Sequence, residues 1–406
     1  MANRNYDIVI VGGGMVGTAL ACAVARSGFR IAVIDSVEPP PFENSEYDLR
    51  VSSLTLGSKA IFETVGAWQD MTQQRVSCVD AMEIWDEGGS GSIRFDSAEI
   101  AQPCLAYIIE NRVILRALLN CMTAIHNIEY ISPVQIETIE TDDQQALVRL
   151  ETGESLQTRL IVGADGANSL VRKLSGIETD GWNFEQKAIV ATVISELGHQ
   201  RIARQRFLAT GPLAFLPLDD AHHCSIVWSA DNDRADTLIA LEDAEFNCEL
   251  QRAFGDRLGE VKLASLRAMF PLITAHAKQY LAERIVLVGD AAHRIHPLAG
   301  QGLNLGLGDI AALAEVLVEA GREKHDIGAH RILRRYERWR KGGNALMLGA
   351  MDGFKQLFGS KNDVVRGLRN VGLELTDDLP PIKQRIMLYA AGQSGDLPKL
   401  MRGINL

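Results

Sequence analysis

The chain has 406 residues, is 47% hydrophobic and 23% charged, and carries a formal net charge of -11 at pH 7. That composition suits a globular protein of two or three domains with proper cores and excludes fibres, disordered tails and small disulfide scaffolds. The acidic balance argues against nucleic acid as a partner, because phosphate binding needs clustered excess Lys and Arg. Six cysteines without a C-x-x-C pair read as reduced thiols of a cytoplasmic protein, not as a zinc or redox motif. The N-terminal apolar run is broken by three glycines and reads as neither signal peptide nor spanning helix, and nothing later reaches membrane-spanning length.

Residues 6–11 form a compact apolar strand that runs directly into Gly12-Gly13-Gly14-Met15-Val16-Gly17. This G-x-G-x-x-G in strand-turn-helix context predicts a dinucleotide site: Gly12 for the tight turn, Gly14 for approach of a pyrophosphate, Gly17 for close packing of a helix over 15–27 on the strand. A second strand over 30–34 ends at Asp35, placed to accept the ribose hydroxyls of an adenosine. After an irregular loop, 38–48, comes Arg50; it reads equally as a cofactor contact and as an ordinary surface residue. A hairpin over 82–95, turning at Gly88, Gly89 and Gly91, is an excursion into a second domain. Asn111 is expected to cap a helix carrying Arg112, and 134–139 with 146–150 read as an antiparallel meander.

Residues 160–166 form another buried strand ending in Asp165-Gly166, with Arg172 in the helix that follows. Open α/β sheets place ligands there, but an Asp-Gly turn followed by a Ser cap is equally what any strand-to-helix junction needs. The region 183–230 is strand-rich, and Phe207, Phe215, Leu216 and Trp228 could wall an apolar pocket or simply fill a core. The stretch 286–309 is the centre of the chemistry. A β-branched strand ends at Gly289-Asp290, Pro297 stiffens a loop, and Gly300-Gln301-Gly302 opens a helix whose free N–H groups and dipole suit an anion. Asp290 can accept from a ligand hydroxyl, and His293 is expected to fix the loop rather than to pair with His296 on a metal. Beyond Gly308 the chain is helical, with a basic face from Arg331 to Lys341 and a basic, apolar final segment over 380–406.

Three motifs, GGGMVG at 12–17, GADGANSLVR at 163–172 and VGDAAHRIHPLAGQGLNLGLGD at 288–309, together resemble the FAD-dependent aromatic monooxygenases, and HPLAGQGLNLG is most similar to the ubiquinone-biosynthesis hydroxylases. RVSSLTLGS, GAWQD, EIWDE, YIIENRVI, IVWS and LRRYERWRK resemble the branch acting on 2-polyprenylphenol. The resemblance implies an α/β (α+β overall) fold: a Rossmann-like FAD-binding domain with an inserted mixed-sheet substrate domain and a helical C-terminus, similar to p-hydroxybenzoate hydroxylase. The expected FAD-binding domain is 1–72, 99–177 and 278–329, the substrate domain 73–98 and 178–277, and the helical C-terminal region 330–406.

The same resemblance implies that Gly12, Gly14 and Gly17 cradle the FAD pyrophosphate, that Asp35, where the family more often has Glu, binds the ribose, and that Arg50 and Arg112 touch the cofactor. Asp165 would bridge the FAD and the reductant's path, and Asp290 would hold the ribityl chain. The loop with Pro297, Gly300, Gln301, Gly302, Leu303 and Asn304 would lie against the isoalloxazine, where Pro297, Gly300, Gln301 and Gly302 carry the catalytic role. FAD, NAD(P)H and O2 would then hydroxylate a polyprenylated phenol through a flavin C4a-hydroperoxide shielded from water. Rival readings are an FAD-dependent reductase of a prenyl lipid, an NAD-dependent dehydrogenase, and a non-catalytic FAD-binding subunit of a ubiquinone-biosynthesis assembly. The expected partners are the prenylated phenol, such an assembly and a second copy of the chain, with peripheral contact to the inner membrane through 380–406.

Overall fold

The computed structural model describes residues 4–39, 41, 46–87, 91–294, 302–359 and 379–406. At its centre Arg4–Val11 runs parallel between Ile31–Ile34 and Ser155–Gly163. Ile128–Ile131 extends this sheet on one side and Ile285–Leu287 on the other, both parallel. Ile8, Val9 and Ile10 are completely buried, as a strand covered on both faces must be; an unbroken apolar run is the sequence form of that position. The helices Met15–Ala25, Asn111–Thr123 and Gly302–Arg322 pack against the sheet or one another, and Ile136–Thr141 with Ala146–Leu150 adds the antiparallel meander.

Two glycines of the first turn are there for the chain's own packing. A Cβ at Gly12, whose φ is +111°, would meet the Ala164 carbonyl oxygen at 2.3 Å, and one at Gly17 would meet the Gly12 oxygen at 1.9 Å. The helix therefore lies against the strand-turn at a distance only hydrogen atoms permit. Gly306 makes the corresponding approach on Gly302–Arg322, where a Cβ would stand 2.9 Å from Val16.

The second sheet has nine strands and is mixed. Thr179–Ser195 pairs antiparallel with His223–Asp231, Ala268–Ala277 and Val261–Leu263. Beyond His223–Asp231 come Gly211–Pro217 and Ile202–Leu208, then Ala81–Asp86, parallel, and Ser92–Asp96. The glycines expected at the last hairpin, Gly88 and Gly89, lie outside the described residues. A small sheet, Val51–Leu54, Ala106–Glu110 and Val76–Val79, stands between the two larger ones.

Strand periodicity sorts the second sheet into two faces. One face, with Trp85, Phe215 and Trp228, is covered by Asn232–Ala240 and Asp243–Phe254; Phe215 stacks on Phe254 at 3.8 Å between centroids, and Trp228 lies 6.0 Å from Phe246. Of the four residues considered as pocket walls, Phe215 and Trp228 are thus core residues, while Leu216, one step along the strand, faces the other way and lines a cavity.

One further local expectation is corrected. Asn111 is the first residue of its helix, not the cap; Glu110, still extended, holds that position without a side-chain cap bond, and Asn111 Oδ1 accepts from Ser52 Oγ at 2.7 Å. The basic face of His330–Gly359 is in part paired with the acidic body. Arg340 turns inward, Arg335 pairs with Glu319 at 2.7 Å, and Ile332, Leu333 and Tyr336 enter the core of the first sheet.

Candidate active site

Gly14 differs from its neighbours in the first turn. It caps Met15–Ala25 in an extended conformation, and a Cβ there would meet no atom within 4 Å. Among the described residues nothing excludes a side chain at this point, so a demand for glycine would come from a ligand. The first turn of Met15–Ala25 carries no acidic residue, which leaves its positive end unneutralised. Beside it the Gly13 N–H donates to Asp35 Oδ2 at 2.6 Å, and the Val37 N–H donates to Asp35 Oδ1 at 3.0 Å. Each carboxylate oxygen keeps a further acceptor site. A pyrophosphate against the open backbone and a ribose on Asp35 fit this cradle, as FAD requires. Asp35→Ala is expected to weaken FAD by about 1–3 kcal/mol through lost charged hydrogen bonds; an unaltered dissociation constant in titration of the apoprotein would remove Asp35 from the site.

The late motif is organised around a residue that the sequence reading passed over, Asp309. It is 0% exposed on Gly302–Arg322. His293 Nε2 donates to its Oδ2 at 2.5 Å and the Gly289 N–H at 3.1 Å, while Arg340 Nε and Asn344 Nδ2 donate to Oδ1 at 2.9 and 3.0 Å. Burial by itself would raise this carboxyl, but His293, Arg340 and Asn344 more than offset that and hold it well below the usual carboxylate range. His293 therefore anchors the strand end to the helix Gly302–Arg322, while the loop it was expected to fix lies outside the described residues. Asp290, next to this anchor, is open to solvent yet set in crowded surroundings. Desolvation raises its pKa, against the lowering influence of His293, Arg294 and Arg50.

Arg50 precedes Val51–Leu54, is exposed, and stands 5.5 Å over the Phe270 ring, on the side where it influences Asp290. Arg112 is braced from within the protein. Its guanidinium chelates Glu110 at 2.9 Å, a carboxylate 2% exposed that Arg75 also grips at 2.8 Å. Glu110 was not anticipated, since an acid at a strand end has no distinguishing spacing. Asp165 accepts from Ser169 Oγ at 2.5 Å and from the Leu170 and Val171 N–H groups at 2.6 and 3.1 Å, capping Leu170–Leu174. These are the contacts that a strand-to-helix junction needs. Arg172 ties the middle motif to the late one, donating from Nη1 to the Ala291 carbonyl at 2.8 Å.

Pro297, Gly300 and Gln301, with His296, lie outside the described residues. Gly302 opens its helix with no acidic residue in the first turn, and Leu303 packs at the edge of the first core. Asn304 reaches across to the small sheet: its Oδ1 accepts from the Thr55 N–H at 3.0 Å and Ser58 Oγ at 2.7 Å, and its Nδ2 donates to the Ser53 carbonyl at 2.7 Å. Among the described residues no cluster of three or more His, Cys, Asp or Glu is arranged to hold a metal.

Asn304, Ser53 and Thr55 lie together in the lining of an open cavity. Its walls are the free face of the second sheet, the small sheet, and the helix Pro380–Ala390 through Ile386 and Met387. The lining is predominantly apolar, with Gln205 among its few polar side chains. A cavity with this lining suits an apolar ligand.

A model of the FAD binding domain matches residues 5–345. The chain is 36% identical to the 3-demethoxyubiquinol 3-hydroxylase of Escherichia coli over 97% of this chain and 100% of that protein, and 36% identical to the ubiquinone hydroxylase UbiL of Rhodospirillum rubrum over 100% and 94%. It is 34% identical to the mitochondrial ubiquinone biosynthesis monooxygenase COQ6 of Danio rerio over 96% and 90%. Among solved structures, p-nitrophenol 4-monooxygenase PnpA of Pseudomonas putida shares the fold with a TM-score of 0.78 at 20% identity, covering 97% of this chain and all of that one. The chain belongs to the family of FAD-dependent monooxygenases that includes the ubiquinone-biosynthesis hydroxylases.

Proposed function

We propose that this enzyme hydroxylates the aromatic ring of a polyprenylated phenol in ubiquinone biosynthesis, with FAD as cofactor, NAD(P)H as reductant and O2 as oxidant, in the branch acting on 2-polyprenylphenol. The observation that carries the reading is the apolar cavity lined in part by Asn304, in the first turn of the helix opened by Gly302. Bound FAD supplies the activation of oxygen. The chain's own part is to hold that cofactor at Gly12, Gly14, Gly17 and Asp35, with Arg50 and Asp290 toward the ribityl chain, Arg112 braced by Glu110, and the segment from Pro297 to Asn304 beside the ring. Its free N–H groups at Gly302 face charge that develops there. The apolar walls exclude water from the reacting centre.

The purified protein is expected to be yellow and to consume O2 when given NAD(P)H and an ortho-prenylated phenol, with ring-hydroxylated product by mass spectrometry; a reductase or a non-catalytic subunit would yield no such product. Gly302→Val should leave the melting temperature closer to the parent than its turnover, because the loop needs close approach rather than bulk. Wild-type hydroxylation in that variant would remove this segment from the flavin.

The division into 1–72, 99–177 and 278–329 for FAD, 73–98 and 178–277 for substrate, and 330–406 as a helical region belongs to the same proposal. So does the source of the substrate. Each buried CH₂ contributes roughly 0.8 kcal/mol toward leaving water, so a polyprenyl chain must be collected from a bilayer or from partner proteins of a biosynthetic assembly, and no described helix is long and apolar enough to cross a membrane. Peripheral contact at the inner membrane from the cytoplasmic side would use Ile382 and Tyr389, exposed on the helix Pro380–Ala390, with Leu379 exposed at its cap. Charge contributes less than the composition of 380–406 suggests: Lys383 pairs with Glu99 at 2.9 Å and Lys399 with Glu315 and Glu319 at 3.0 Å. Self-association of the chain is part of the reading and is checked by light scattering.

A further inference from the structure

Gln205 is the unusual member of the cavity wall. In the register of the second sheet it stands beside Ala214 on one neighbour and Ile84 on the other, and Ala203, Ala214, Leu216 and Val227 share its face of the sheet. The residue is 5% exposed, and its side-chain amide has no hydrogen bond with the described residues. Arg204, next to it, projects to the opposite face, where Glu83 accepts from its Nε at 3.2 Å and the His199 carbonyl from its Nη1 at 3.0 Å. The Gln205 amide atoms are not among the fully enclosed unpaired groups and so open onto the cavity, where a mostly apolar lining offers them little to bond with, at a cost if water is excluded there. A leucine would fill the same position without that cost, so the amide is matched to something that enters the cavity.

The opposite side of the cavity is of another kind. Met387 is buried and Ile386 lines the cavity while remaining 46% exposed, so the apolar lining continues past the helix Pro380–Ala390 to the outside. Ala390, exposed and also in the lining, leaves that opening unobstructed by the described residues. The helix is held in place by Lys383 on Glu99 and by the Ala391 carbonyl, which accepts from the Gly57 N–H at 3.2 Å.

We propose that the cavity binds its phenol in one orientation, with a ring oxygen hydrogen-bonded to the Gln205 amide and the aliphatic tail leaving between Ile386 and Ala390. This rests on the reading of the protein as a hydroxylase of prenylated phenols and deepens it, by naming the group that sets which ring position is presented. Either protonation state of the ligand is served: a phenol O–H donates to Oε1, and a phenolate oxygen accepts from Nε2.

The test is equilibrium binding to the FAD-loaded protein, by calorimetry in a fixed detergent, of ortho-dodecylphenol, dodecylbenzene and ortho-propylphenol. Wild type is expected to prefer ortho-dodecylphenol over dodecylbenzene by roughly 10-fold, the worth of one buried hydrogen bond. Gln205→Leu should bring that ratio near one, and Gln205→Met, closer in shape, supplies the same comparison should leucine lower the flavin content. Ala390→Trp, at an exposed position that tolerates bulk, should weaken ortho-dodecylphenol relative to ortho-propylphenol by about 10-fold. Persistence of the phenol preference in both Gln205 variants overturns the oxygen contact, and equal weakening of long and short tails in Ala390→Trp overturns the exit. Should wild type bind with the expected preference yet form no hydroxylated product under NAD(P)H and O2, the catalytic reading fails while the binding orientation stands.

Discussion

Replacing Asp309 with leucine is expected to cost about 3–5 kcal/mol of stability, because it leaves the Arg340 guanidinium and the His293 ring donor enclosed without their acceptor. Chemical denaturation at neutral pH measures this directly, and a variant within about 1 kcal/mol of the parent would mean that the network is ornamental. Asp309→Asn keeps the shape and one acceptor and should lie between the two. The acid limb has a definite sign. The folded-state carboxyl lies below its unfolded value of about 3.9, so its contribution is fully present above that pH and is lost as pH falls through the folded value. The gap between parent and Asp309→Leu should hold constant from neutral pH to about pH 5 and narrow only below about pH 4. A gap already closing near pH 6 would point to a different titrating group.

The second large effect separates cofactor from fold within a single turn. Gly17→Val is expected to fail as a folded protein, since even a Cβ there would stand 1.9 Å from the Gly12 carbonyl oxygen. Gly14→Val meets no protein atom, so it should fold, melt cooperatively and emerge from purification without yellow colour, its side chain occupying the place of the pyrophosphate. Flavin absorbance against protein concentration, together with far-UV circular dichroism, reads both properties. A Gly14→Val protein with a full complement of flavin would show that the phosphates lie elsewhere; a flavin-free but unfolded one would show that the turn, not the ligand, demands glycine.

The pair of glycines illustrates how sequence and structure divide the information. The first strand, its glycine turn, the helix that follows and Asp35 were all legible in the sequence, because each is decided within a few residues. An apolar run longer than a half-buried strand needs, a turn that requires positive φ, and a helix opening without an acidic residue are local facts. The cap at Ser169 and the helix beginning at Gly302 are of the same kind. What the three motifs resembled supplied the overall architecture.

The tertiary structure decided which neighbours these elements have. Strand alternation in 202–217 says that adjacent side chains point apart, but not which set meets helices and which meets open space. Only the packing of Asn232–Ala240 and Asp243–Phe254 onto one face makes Phe215 a core residue and leaves Leu216 and Gln205 to the cavity. Asp309 looked like an ordinary helical acid, because its meaning depends on Arg340 and Asn344, 31 and 35 residues further on. Likewise the positive charge of the last segment reads as a surface property until Glu99, Glu315 and Glu319 are found beside it. Periodicity and turn chemistry are short-range and so are written in consecutive residues; burial and charge pairing are set by surfaces that meet only after the chain has closed on itself, and they determine what the cavity can hold.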